Sequence, residues 1–447
     1  MNIKGIEMQA NIIQKNIFSY LPVIILISLI LSYLYVTSPD VVGGDTSEYM
    51  NLYTWRPPLY PLFFWSFNWI GQYQATVVMW VQSFACLFAL LYARHWLHQR
   101  LGLSEVITFF IMIGIILQVF FHYHMLQMIY SEGIAFPLFV FSFLLLVDCI
   151  YQFELKKIIL LICLVHLLVL TRLQFYLFYL LLGGLIIWHA LKKVPASKLA
   201  LIALLIVFSV VMGKLIEKKF HQLFPVTATS YGSPNLYFLI HTMYVSSMKD
   251  VQYLKNNEEK KYFSEVIQEM ENKQLTKQSA PLMLGRPMAL PMENTHYAAA
   301  HYQMLRIAYP PLKKLSYEKS EALIWNINKT LFKQHFKESL VFYFWRVIST
   351  IGDVSVFFII FIAAIAAIYR IVTDQKWKPT YTQIFIAVAC FTILLNIFAI
   401  NIFEISEIRY LYYGFFLTYC LGGVLADKLF LSRYIYLSDT SDIKKGN

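Results

Sequence analysis

Long apolar runs constrain this chain more than any other feature. They fall near 18–37, 75–97, 105–121, 132–150, 157–171, 174–191, 198–216, 354–371, 380–400 and 408–430. A helix needs about 20 residues to cross about 30 Å of hydrocarbon, and runs of roughly 15 to 23 residues are of about that length. The runs are continuous rather than alternating, which excludes a closed strand barrel and leaves helices to satisfy the backbone polar groups. Composition agrees, because 58% hydrophobic and 14% charged residues with a mean hydropathy of +0.57 do not make an ordinary soluble globule. The expected fold is an all-α, polytopic membrane helix bundle of about ten spans with a small outer helical cap.

Basic residues in short loops set the expected orientation. With a cytoplasmic N-terminus, the inner segments carry sixteen lysines and arginines, from Lys4, Lys15, Arg94 and Arg100 through Lys156, Lys157, Lys192, Lys193 and Lys198 to Arg370, Lys376, Lys378, Lys428, Arg433, Lys444 and Lys445. The short outer loops carry three, Arg56, Arg172 and Arg409. Each of the three is an exception that needs a reason. The first span shows no small-residue cleavage site, so it reads as a retained anchor with both ends of the chain inside.

This divides the chain into an N-terminal membrane module (1–216, with a first outer loop at 38–74), an outer helical loop domain (217–345), C-terminal spans (346–432) and a cytoplasmic tail (433–447). In the outer segment, 250–274 places Tyr253, Leu254, Phe263, Val266, Ile267 and Met270 at helical spacing, and a second amphipathic stretch runs from Tyr317 to Phe344. The prolines between them, at 281, 287, 291, 310 and 311, break the chain. No internal repeat of the transporter kind is visible.

The net charge of +11 belongs to topology and to anionic headgroups, and no basic stripe with interleaved aromatics points to nucleic acid. Cys86, Cys149, Cys163, Cys390 and Cys420 all fall inside apolar runs without a CxxC pair, so neither a disulfide framework nor a thiolate zinc site is implied.

The outer face is chemically different. The first loop brings Asp45, Glu48, Tyr49 and Arg56 together, the last followed by Pro57-Pro58-Leu59; His122 and His124 follow the third span; Ser131 and Glu132 open the fourth. Thr171, Arg172 and Gln174 occupy a tight turn between the fifth and sixth spans, and Glu404, Glu407 and Arg409 precede the tenth. Ionisable groups at the mouth of a membrane bundle are candidates for chemistry or substrate binding. The bland readings stand beside this. Asp45 after Gly43-Gly44 suits an N-cap, Arg56 suits snorkelling to headgroups, and Arg172 and Arg409 suit ion pairs with Glu132 and Glu407. The two histidines read as interfacial rather than metal-bound.

An early aspartate followed by Glu-Tyr and then by a basic residue with Pro-Pro-Leu resembles the GT-C glycosyltransferases, most closely the aminoarabinose and protein O-mannosyl transferases. The resemblance covers the first 190 residues; Ser131-Glu132 and Thr171-Arg172 match recurring positions more loosely. The chain departs from the pattern in the short spacer between Tyr49 and Arg56, in having Arg rather than Lys, and in lacking a large soluble C-terminal domain. The resemblance implies an enzyme of the inner (plasma) membrane that moves a sugar from a polyprenyl-phosphate donor to a lipid-linked or cell-envelope acceptor on the outer side. Such a displacement needs a base for the acceptor hydroxyl and a cation for the departing phosphate. Asp45 is the expected base, and Glu48, Tyr49, Arg56, Glu132, Arg172 and Arg409 are the expected substrate-binding residues. Guanidinium groups suit phosphate through bidentate bonds. Asp45, Glu48 and Glu132 are oxygen ligands of the kind that hold a divalent cation, which leaves metal dependence open. An O-antigen polymerase or ligase, or a lipid or oligosaccharide transporter that breaks no bond, are the alternatives.

Overall fold

A computed structural model describes residues 3–41, 46, 49–50, 56–224, 233–279, 290–351, 354–373, 378–403 and 411–431. Asp45, Glu48, Glu404, Glu407, Arg409 and the 433–447 tail lie outside the described residues.

The protein is all-helical. In the first half run α1 (Ile3–Val36), α2 (Leu59–Trp65), α3 (Gln74–Leu101), α4 (Glu105–Ile115), α5 (Glu132–Tyr151), α6 (Leu155–Thr171), α7 (Leu177–Leu191) and α8 (Ala196–Leu223). Then follow α9 (Pro234–Val245), α10 (Asn257–Asn272), α11 (Leu290–Leu312), α12 (Tyr317–Gln334), α13 (Phe336–Ile351), α14 (Val354–Thr373), α15 (Tyr381–Phe403) and α16 (Tyr412–Ala426). Among the described residues, 7 helices are long and apolar enough to cross a membrane. Three further expected spans are shorter regular helices: the apolar part of α1 from Tyr20, α6 and α16.

Burial separates the centre of the bundle from its rim. The α5 span is 78% buried, against 17% for the α8 span and 22% for the α14 span, so α5 is wrapped by protein while α8 and α14 leave most of their surface to lipid. Polar residues mark how the helices turn. On the side expected to be inner, Gly102 takes a left-handed φ of 68° and its N–H caps His98 at the end of α3. Ser104 then opens α4 by accepting the Ile107 N–H, and its own N–H is received by Asp427 beyond α16.

The segment from α9 to α13 builds a second core. Leu236, Ile240 and Met243 of α9 meet Phe263, Val266, Ile267 and Met270 of α10, Met304 and Leu305 of α11, and Ile324, Ile327 and Leu331 of α12. Capping residues start its helices: Asn256 and Glu259 form a reciprocal box at the head of α10. The second amphipathic stretch is two helices, α12 and α13, because His335 leaves helical geometry between them, with its Nε2 3.0 Å from Asp250 Oδ2.

Candidate functional site

The head of α5 and the tail of α6 lie at the same end of the bundle because consecutive membrane helices are antiparallel. Glu132 is the first residue of α5, at the positive end of the helix dipole. Arg172 closes α6 in extended geometry (φ −154°, ψ 129°), which turns its side chain back into the bundle before a short 3₁₀ turn at Leu173–Tyr176. The two side chains form an ion pair of 2.5 Å, with Glu132 2% and Arg172 8% exposed. A pair this deeply buried is costly to desolvate and holds only with good geometry and further hydrogen bonds.

A further bond reaches the pair from Ser131 and, through it, from the segment between α1 and α2. Tyr49 donates to Ser131 Oγ (3.2 Å), and Ser131 donates to the second Glu132 oxygen (3.3 Å). The Tyr49 ring meets Tyr60 edge to face at 4.7 Å, and the Arg56 guanidinium lies 5.5 Å from the centre of the Tyr49 ring. Tyr60, at the start of α2, is fully buried; burial, reinforced by Tyr49 and Glu132, holds its hydroxyl well above the ordinary tyrosine range, so it stays a donor. It donates to Gln82 Oε1 (3.2 Å). The Gln82 amide in turn donates to the Leu126 (3.0 Å) and Met128 (2.8 Å) carbonyls, and the Asp40 N–H bonds the Gln127 carbonyl at 2.9 Å. The segment leading into Glu132 is thus fastened to α1, α2 and α3.

Glycine 133 makes this closeness possible. A Cβ there would stand 2.4 Å from Gln82 Oε1 and 2.5 Å from its Cδ. Tyr413 of α16 completes the wall, its ring packed against Phe139 (5.1 Å) and edge-on to Phe175 (4.7 Å).

Of the expected site residues, the structure brings Tyr49, Glu132 and Arg172 into one network and sets Arg56 on its edge through Tyr49. Asp45, Glu48 and Arg409 lie outside the described residues. Sequence reasoning missed Gln82 and Tyr413. A lone amide inside an apolar run was a usable signal for Gln82, whereas Tyr413 is one of 31 tyrosines and carries none. His124 takes a φ of 54° and its Nδ1 is 3.3 Å from the Tyr33 hydroxyl. Among the described residues, no three His, Cys, Asp or Glu side chains gather as a metal site would need.

A second buried polar cluster sits where the cap meets α15. Arg346 donates to His241 Nε2 (2.7 Å) and to the Asn401 carbonyl (3.0 Å), and its guanidinium lies 4.9 Å from the Tyr297 ring centre. Tyr297 in turn shares a 2.8 Å hydrogen bond with His301 Nδ1. Burial first, then the Arg346 charge, pushes the His301 pKa down to about 3 and holds His241 well below the usual histidine range. Arginine only donates, so the His241 nitrogen that receives it must be unprotonated. This cluster fastens the cap to the bundle.

No family model, curated protein or solved structure matches this chain. The functional reading therefore rests on the residues themselves.

Proposed function

We propose that this protein is a membrane glycosyltransferase of the GT-C type, moving a sugar from a polyprenyl-phosphate donor to a lipid-linked or cell-envelope acceptor on the outer face of the inner (plasma) membrane. The observation that carries the reading is the Glu132–Arg172 pair, buried at one end of an all-helical bundle and bonded through Ser131 to Tyr49 of the first outer loop. A structural ion pair needs no tether to a loop that also holds Asp45, Glu48 and Arg56.

In this reading the acceptor hydroxyl attacks the anomeric carbon as its proton passes to Asp45, and the glycosidic C–O bond breaks with its electron pair leaving on the phosphate. The departing phosphate gains charge, which guanidinium groups are suited to neutralise. Arg56, Arg172 and Arg409 are the cations assigned to it. Arg172 is the one already desolvated, where an electrostatic contact is strongest. Glu132 holds Arg172 in place until the substrate arrives. Glu48 and Tyr49 orient the sugar. The three shorter apolar helices join the seven longer ones to make ten spans.

The test is turnover. Purified protein given labelled polyprenyl-phosphate sugar and candidate acceptors releases polyprenyl phosphate, and a folded Asp45→Asn variant loses about 10²–10⁴-fold of that rate, the usual worth of a general base. Unchanged turnover in Asp45→Asn removes Asp45 from this role. Movement of the intact lipid-linked sugar across a vesicle wall, with no bond cleaved, replaces the reading with a transporter.

A further inference from the structure

The Tyr413 hydroxyl is buried and has no hydrogen-bond partner among the described residues, although the side chain is only 1% exposed. A buried donor left unbonded costs about 1–3 kcal/mol, so native proteins rarely keep one without a use for it. Its setting is specific. The ring lies between the helix that carries Glu132 and the turn that carries Arg172: Phe136, one turn after Glu132, stacks on it at 6.4 Å, and Phe175, three residues after Arg172, meets it edge-on at 4.7 Å. Its hydroxyl interacts electrostatically with Arg172, Glu132 and Tyr49. Among the described residues, the charges that bear on its O–H are the two halves of the buried pair.

We propose that Tyr413 is a positioning residue whose hydroxyl donates to the Glu132 carboxylate when a substrate phosphate draws Arg172 away. The inference rests on the glycosyl-transfer reading, which gives Arg172 an anion to meet. In the structure Arg172 pairs with Glu132, and the Tyr413 hydroxyl bonds none of the described residues. When the guanidinium turns to phosphate, Glu132 loses its strongest partner inside a site too dry to replace it with solvent, and an abandoned buried carboxylate is expensive. Ser131 already serves the other carboxylate oxygen at 3.3 Å. Tyr413 then supplies the second donor, so Arg172 is released at a fraction of the cost.

The experiment uses the full-length protein in lipid nanodiscs, with a long-chain polyprenyl phosphate as the probe and the matching polyprenol as its uncharged control. Tyr413→Phe removes the hydroxyl and nothing else. A hydrogen bond to a charged group is worth about 1.5–3 kcal/mol, so the variant is expected to bind polyprenyl phosphate about tenfold or more weakly and polyprenol as before. Its unliganded Tm is expected to stay level or rise, since a buried unbonded group has been deleted. In a Glu132→Gln background the same change has no further effect on phosphate binding, because no carboxylate needs rescue. Wild-type affinity in Tyr413→Phe overturns the role, and so does a fall in unliganded Tm, the mark of a hydroxyl that serves the resting fold. If the wild type binds polyprenyl phosphate no better than polyprenol, the glycosyl-transfer reading itself fails and the tyrosine's role goes with it. If the wild type prefers the phosphate and Tyr413→Phe does so equally, only the tyrosine's role fails. The Tyr413→Phe arm decides without the Glu132→Gln arm should that background not fold.

Discussion

Replacing Arg172 by Met leaves Glu132 buried without the cation it bonds, and breaking such a pair from one side costs about 3–5 kcal/mol. The double variant Glu132→Gln with Arg172→Met is expected to recover most of that stability while both variants lose sugar transfer, which thermal unfolding in detergent and a turnover assay read separately. Gly133→Ala is the matching steric probe. Its Cβ would meet Gln82 Oε1 at 2.4 Å and Gln82 Cβ at 3.1 Å, so the amide must leave the Leu126 and Met128 carbonyls. Overpacking of this kind costs about 1–3 kcal/mol, and the same melts check it. Glu132 and Arg172 were legible in the sequence because each breaks a rule: a carboxylate opening an apolar run, and an arginine on the side where basic residues are scarce. Gln82 left a fainter mark and Tyr413 none. What makes Tyr413 notable is a missing partner, and absence of a bond is a property of packing that no local pattern encodes.

Helices carry the same lesson about which physics is local. The amphipathic spacing of α10 is visible in sequence because Phe263, Val266, Ile267 and Met270 fall on one face and are all buried there, whereas Tyr253 and Leu254 lie before the helix, at the end of a separate 3₁₀ turn over Met248–Tyr253. The break between α12 and α13 was not, since their periodicity runs on through His335 and the interruption comes with a long-range approach to Asp250. The cap cluster formed by α9, α11 and α13 was equally hidden, since His241 and Arg346 meet across more than a hundred residues of chain. It predicts a pH dependence whose sign is fixed. His301 is held at about 3 when folded and returns to its ordinary value of 6.5 when unfolded, so below 6.5 the unfolded chain takes up more protons. Its contribution is complete above pH 6.5 and declines by about 1.4 kcal/mol per pH unit as pH falls toward its folded value. His241 acts in the same direction, and Arg346 stays charged beside both. The protection of α9 and α11 against hydrogen exchange, corrected for the intrinsic amide rate at each pH, is expected to fall between pH 7.5 and 5 while that of α5, in the bundle, does not. His301→Phe should flatten that dependence, and an unaltered slope in it would remove His301 as the cause.

At the scale of the whole molecule, the Glu132–Arg172 network and the cap share a face, and we propose that this face is the outer one. The structure supplies the first half. Arg346 of the cap reaches the Asn401 carbonyl on α15, and Asn396 on the same helix accepts from Gln174, two residues beyond Arg172. One rigid helix thus touches both the cap and the turn that presents Arg172. The proposed orientation rests on the lysines and arginines of the short loops, which collect at the opposite end, where Lys192 and Lys193 close α7 and Lys156 and Lys157 open α6. Moving such loops across a bilayer is disfavoured, so orientation is set by them. Single cysteines decide it in a Cys163→Ala background, the four other cysteines being buried. A membrane-impermeant maleimide added to intact cells is expected to label Lys260→Cys on the surface of α10 at once, and Lys193→Cys only after permeabilisation. The reverse pattern would put the buried ion pair and the first loop on the inner side, away from any envelope acceptor, and would rule out the proposed transfer without any assay of chemistry. Labelling at both sites in intact cells would mean that the seven long helices and the three shorter ones do not cross in the alternating order assigned to them, since an odd change in the number of crossings between α7 and α10 puts both positions on one side.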